Sequence, residues 1–215
     1  MIETENRLIM WFFVKIGIPI VYRTHGIRLV CRDHLSAWRA DTMGTKEPET
    51  LNWIDAWMKP GEILFDIGAS TGLYSFYAAR RGVNVYAFEP TLHIYKSLTE
   101  NVYANRSLPV IPMLLPGQRM GEAVVLPNHI KIDTDGFELE ILEAARATIS
   151  GAKTVMIEEA PETREEIERK MTEMGFVKRE SFISSLMGKH PIFYTFRNTI
   201  YVKDTIGGTD AAMVH

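Results

Sequence analysis

Phe65-Asp66-Ile67-Gly68-Ala69-Ser70-Thr71-Gly72 is the stretch that decides the fold. The apolar run Ile63–Ile67 follows the stop signal Lys59-Pro60-Gly61 and runs into glycine, which predicts a short buried strand. Leu73–Arg81 reads as a helix ended by Gly82, so residues 68–72 form a tight loop between a strand and a helix. In open α/β sheets ligands bind outside the carboxyl ends of the strands, and glycine lets the backbone turn sharply and approach them. A second buried strand, Val83–Phe88, ends in Glu89-Pro90. A carboxylate there can accept hydrogen bonds from both hydroxyls of a ribose.

The loop is not a phosphate cradle. Counted from Gly68, Ser70 replaces the second glycine of the dinucleotide pattern and Leu73 the third. No Gly-Lys-Ser/Thr follows, which removes the P-loop. A nucleoside ligand without phosphates fits better. S-adenosylmethionine is such a ligand, with its diol on Glu89 and its amino-acid end by Asp66, Gly68, Ala69, Ser70 and Gly72. The alternatives are an NAD-linked oxidoreductase on a similar fold and a non-catalytic binding or scaffold protein, or one that only binds the cofactor.

Outward from the loop the chain alternates strands with helices, as a parallel sheet covered on both faces does. Helices are expected over Glu47–Met58, Leu92–Asn105, Glu138–Ile149 and Glu162–Met174, and strands over Pro109–Leu115, His129–Asp133, Val155–Glu159, Phe176–Arg179 and Thr199–Lys203. The last two strands have no helix of clear period between them and suit antiparallel pairing at an edge. Before this block, residues 8–22 (LIMWFFVKIGIPIVY) suggest a helix ending near Gly17–Pro19, Ile20–Tyr22 and Ile27–Cys31 a hairpin about His25-Gly26, and residues 33–46 a loop. This divides the chain into an N-terminal extension (1–46), a main domain (47–204) and a flexible tail (205–215).

The 215 residues carry a net charge of -3 with 46% apolar and 24% charged residues, which excludes disorder. The single cysteine excludes a disulfide scaffold. At this charge no nucleic-acid partner is expected, since such affinity rests on clustered lysine and arginine. Residues 8–22 are too short and too interrupted to span a bilayer. The expected location is cytoplasmic, with peripheral membrane contact through residues 8–22 as a variant. The sequence leaves the oligomeric state open.

A second acidic group follows in His129-Ile130-Lys131-Ile132-Asp133-Thr134-Asp135-Gly136-Phe137-Glu138. Asp133 ends a strand beside the expected crevice, and Glu158-Glu159 end the next strand. Clustered carboxylates need a cation, a proton or a polar substrate between them. Asp133 is the first candidate for a catalytic base and also a cofactor contact, with Glu158 and Glu159 second. Mg²⁺ held by Asp133, Asp135, Glu138 and Glu158 is chemically reasonable but not favoured, and no metal ligand is assigned. His129 and His93 are weaker catalytic candidates.

The segments FDIGASTGLYSFYAARRG, VYAFEP, HIKIDTDGFELEIL and NTIYVK, in this order and spacing, resemble the FkbM family of S-adenosylmethionine-dependent methyltransferases. The resemblance runs from about Glu47 to Lys203. It implies the class I methyltransferase fold, a Rossmann-like, mostly parallel seven-stranded sheet with an antiparallel last strand. It implies O-methyl transfer to a hydroxyl of a sugar, glycan or glycosylated natural product, leaving S-adenosylhomocysteine. Carried over by position, Asp66, Gly68 and Gly72 fall in the cofactor loop. Glu89 and Pro90 fall at the ribose acid, Asp133, Gly136 and Glu138 in the lysine–isoleucine–aspartate segment, and Glu158 at the next strand's end. Ser70 and Ile94 stand where the family often has asparagine, and the chain is short between residues 114 and 128.

Overall fold

The computed structural model describes residues 1–183 and 196–205; the expected tail lies outside them apart from its first residue. Seven strands form the main sheet: β4 (Ile63–Ile67), β5 (Asn84–Phe88), β6 (Val110–Met113), β7 (His129–Ile132), β8 (Thr154–Glu159), β9 (Phe176–Phe182) and β10 (Arg197–Lys203). Their order is β6-β5-β4-β7-β8-β10-β9, parallel from β6 to β8, with β10 antiparallel to both neighbours. This is the Rossmann-like methyltransferase topology expected from the sequence. The order reverses at β4, so a crevice opens at the carboxyl ends of β4 and β7.

Period-two alternation sorts the sheet into two faces. Phe65, Ile67, Ile130, Ile132, Val155, Ile157 and Tyr201 point to one core, closed by α7 (Glu138–Ala144), α8 (Arg146–Ser150) and α9 (Arg164–Glu173). Leu64, Val85, Ala87, Met156, Ile200 and Val202 point to the other, covered by α4 (Pro48–Trp57) and α5 (Leu73–Arg80), with α6 (Leu92–Ala104) supplying Leu98. The helix expected over Glu138–Ile149 is two helices, broken at Ala145 (φ -110°, ψ 20°).

The N-terminal residues add to the second core. β1 (Ile2–Thr4) pairs parallel with β2 (Ile20–Thr24), which forms the expected hairpin with β3 (Ile27–Cys31). Helix α1 (Arg7–Lys15) buries Met10 and Val14 but exposes Leu8 and Phe12, with the exposed Ile16 just past its end. Cys31 is fully buried, and burial pushes its thiol up to about 12.

The loop expected over 33–46 is instead helical: α2 (His34–Asp41) and α3 (Met43–Lys46). Asp33 and Ser36 form a reciprocal cap, with Ser36 N–H donating to Asp33 Oδ1 (2.8 Å) and Asp33 N–H to Ser36 Oγ (3.1 Å). The apolar pattern of α2 is weak: its buried residues are the small Ala37 and Ala40, packed against α1 and the β2–β3 hairpin. No helix among the described residues is long and apolar enough to cross a membrane.

Candidate active site

Four strands deliver the site in one row. The paired residues Ile67, Phe88 and Ile132 end β4, β5 and β7, and their partner Ile157 lies two residues before the end of β8. The next residues along are Gly68, Glu89, Asp133 and Glu158. They line a cavity of about 690 Å³ with Asp66, Ala69, Ser70, Pro90, Lys131 and Asn198.

Gly68 is required by packing. Its φ is +81°, and a Cβ built there would lie 1.8 Å from the Asp133 carbonyl oxygen. The loop therefore lies directly on the end of β7, and only glycine permits that approach. Gly72, expected in the cofactor loop, lies between the lining residues Thr71 and Leu73 but does not itself line the cavity. Its φ is +87° and its missing side chain leaves room for Phe76 and Leu98, so it serves helix packing.

The acids on the β4–β5 side are held by donors of the chain itself. Ser75 Oγ donates to Asp66 (2.5 Å), a fully buried carboxyl raised above its usual range by burial, with Lys131 and Ser75 opposing. Ser70 N–H (3.2 Å) and Thr91 N–H (2.8 Å) each donate to one oxygen of Glu89, orienting it toward the cavity it lines.

The β7–β8 side is charged and crowded. Lys131, buried in the middle of β7, is the register partner of Asp66 and donates to Asp133 at 2.6 Å. Burial opposes its charge, but Asp133, Asp66 and Glu47 together hold the ammonium above the usual lysine range. Burial would raise Asp133; the lysine outweighs it and holds Asp133 low. Glu158 hydrogen-bonds Asp133 and feels the lysine too, but there the balance falls the other way. Burial, and then the negative Asp133, push it up to about 8. Oxygens of Asp133, Asp135 and Glu158 lie within 4.8 Å of one another. Asn198 is the register partner of Glu158 across β8–β10 and shares its face. Its Nδ2 donates to the buried Glu49 (3.0 Å), while its buried Oδ1 has no partner among the described residues.

Several expected residues lie elsewhere. Glu159 is not in the cavity: alternation turns it to the opposite face, where Tyr201 (2.6 Å) and Thr199 (2.7 Å) donate to it. His129 sits at the amino end of β7, between Thr154 (2.8 Å) and Glu62 (3.0 Å), far along the strand from the cavity. His93 does not line the cavity. Glu138 organises the turn after β7 by accepting from Thr134 N–H (3.0 Å), Thr134 Oγ1 (2.9 Å) and Gly136 N–H (3.3 Å). The short 114–128 segment closes a wall: Pro116, Gly117 and Gln118 line the cavity, and Gly117 packs where a Cβ would meet Ile67 at 2.4 Å.

Sequence reasoning did not single out Lys131, Asn198, Glu47 or Arg39. The Lys131–Asp133 spacing was a usable signal, since residues two apart on a strand share a face. Arg39 was hidden by the loop expected over 33–46.

No protein-family model matches the chain, and no curated protein matches it by sequence. Solved structures do share its fold. Trm5b from Pyrococcus abyssi is 20% identical with a TM-score of 0.63, over 86% of this chain and 56% of that one. The tRNA m1G37 methyltransferase of M. jannaschii is 13% identical with a TM-score of 0.63, over 86% and 57%. Magnesium protoporphyrin IX methyltransferase from Synechocystis PCC 6803, solved with bound SAM, is 16% identical with a TM-score of 0.59, over 73% and 77%. The chain thus spans little more than half the length of the first two. These structures overturn the expectation of no nucleic-acid partner, because tRNA methyltransferases are built on this fold. A net charge of -3 is a sum over the whole surface and does not describe any one face.

Proposed function

We propose that this chain is an S-adenosylmethionine-dependent methyltransferase that methylates a hydroxyl of its acceptor. The observation that carries the reading is the row at the sheet end: the Gly68 loop, the oriented Glu89 carboxylate and the Asp133–Glu158 pair around one cavity. The fit is chemical as well as spatial. The loop offers no phosphate cradle, Glu89 can take a diol, and the acids surround the place of a cation.

S-adenosylmethionine supplies a sulfonium methyl that is itself a good electrophile. The residues have three tasks: to align the acceptor oxygen, to exclude water and to take its proton. Glu158 suits the last task. A base is most effective when its pKa lies near the working pH, and Glu158 is held at about 8. Asp133, kept ionised by Lys131, orients the acceptor, and its negative charge keeps Glu158 basic. Because Lys131 already supplies the compensating charge, we assign no metal to this cluster.

The FkbM-like motifs favour a sugar, glycan or glycosylated natural product as acceptor. We retain the 1–46 and 47–204 division, with the extension as a cover over the cofactor end. The test is calorimetry on the full chain with S-adenosylhomocysteine, followed by labelled-methyl transfer to a panel of glycosides and transfer RNA. Micromolar binding and label on a glycoside hydroxyl support the proposal. Absence of S-adenosylhomocysteine binding ends the enzyme reading, and label on RNA alone replaces the acceptor.

A further inference from the structure

We propose that Arg39, on helix α2 of the N-terminal cover, binds the carboxylate of the cofactor's methionine end, so that the sheet alone does not make a complete cofactor pocket. The inference rests on the S-adenosylmethionine reading above. That ligand presents a diol, a sulfonium and an ammonium, all suited to carboxylates, together with one carboxylate that is not. The sheet end offers Asp66, Glu89, Asp133 and Glu158. These match the first three groups and repel the fourth. An anion removed from water needs a paired partner, so a cation must come from elsewhere.

Among the described residues four cationic side chains line the cavity: Arg39, Lys46, Lys131 and Arg197. Lys131 is held by Asp133 at 2.6 Å and Lys46 by Glu47 at 2.5 Å. Arg197 begins β10, which β7 and β8 separate from β4 and its glycine loop. Arg39 lies on that loop, where its Nη1 donates to Ser70 Oγ, and Ser70 N–H in turn donates to Glu89. Among the described residues Arg39 makes no ion pair, although its charge is felt by Asp33 at the start of its own helix. A guanidinium has five N–H donors in a fixed fork that suits a carboxylate, and one serine uses few of them.

The aim of Arg39 is set in advance. Two residues later, Asp41 accepts from Arg7 Nε (2.7 Å) and Trp11 Nε1 (3.1 Å), which pins α2 to α1. The Asp33–Ser36 cap fixes the other end of α2.

The experiment is calorimetry on the full chain with two probes, S-adenosylhomocysteine and its decarboxylated analogue, which differ only in the carboxylate. Wild type is expected to prefer S-adenosylhomocysteine. Arg39→Ala should weaken S-adenosylhomocysteine about tenfold or more and the decarboxylated analogue by less than about twofold, erasing the preference. Arg39→Lys should keep part of it and serves as the reporter if the alanine variant loses its melting transition. A wild-type preference that survives in full in Arg39→Ala, or in Arg39→Lys where the alanine variant does not fold, assigns the carboxylate to backbone N–H groups and overturns the proposal, as does equal loss of both probes. Wild type that binds neither probe sinks the parent reading, and this one with it.

Discussion

Glu158 and Glu159 are neighbours in the chain and opposites in the fold. On one face of β8, Glu158 meets a cavity, a like charge and an asparagine with an idle oxygen. On the other, Glu159 is closed in by two hydroxyl donors, with Arg164 3.7 Å away. Burial raises both carboxyls above their usual range, but the environments differ in kind. The closed face spends its polar groups on one another and is structural. The open face leaves them unspent, which costs stability and retains reactivity.

The contrast can be broken most sharply by Glu158→Gln. Methyl transfer should slow by about 10²–10⁴-fold if a base is removed, while S-adenosylhomocysteine binding stays within about threefold of wild type. In wild type the rate should rise with pH through about 8, and the variant should lose that inflection. An unchanged rate would return the role of base to Asp133.

Lys131→Met should be next. It strips Asp66 and Asp133 of a shared buried partner, and loss of one member of such a pair costs about 3 kcal/mol. Thermal or urea unfolding would measure it. The variant should also bring Asp133 up toward the range of Glu158, flattening the difference between the two acids.

Stability against pH gives a smaller effect with a definite sign. Glu158 is raised from 4.5 to about 8, so the folded chain holds an extra proton between those values. That contribution is complete below about 4.5 and disappears as pH rises through about 8. Glu158→Gln should therefore melt higher than wild type at pH 9 and close to it at pH 5. The smallest change is expected from Tyr201→Phe, which removes one donor from Glu159 and should cost about 1–2 kcal/mol with methyl transfer unaltered. A loss of activity there would place the closed face in the reaction.

Much of this was legible before the structure. Asp66, Gly68 and Glu89 announce themselves because a short apolar strand, a glycine turn and a strand-end acid are local patterns. The contrast between Glu158 and Glu159 was also written in the sequence, since adjacent strand residues face opposite ways, but choosing between them needs the face of the cavity. Lys131 looked like one polar residue in a strand; its meaning depends on Asp66, which only the β4–β7 register brings beside it. Helix α2 was missed for a different reason. Its apolar stripe is weak, and the Asp33–Ser36 pair that starts it uses serine where glutamate is the usual third-position signal.

The lone thiol at the end of β3 turns the cover into a clock. Cys31 is sealed beneath α2 and holds its proton to about 12, so it is inert toward alkylating reagents while the cover is shut. Each labelling event then records one opening of the N-terminal segment, at the single cysteine the chain possesses. A ligand gripped by Arg39 would tie that segment down, and the labelling rate would fall as the ligand is added, with no engineered probe anywhere in the molecule.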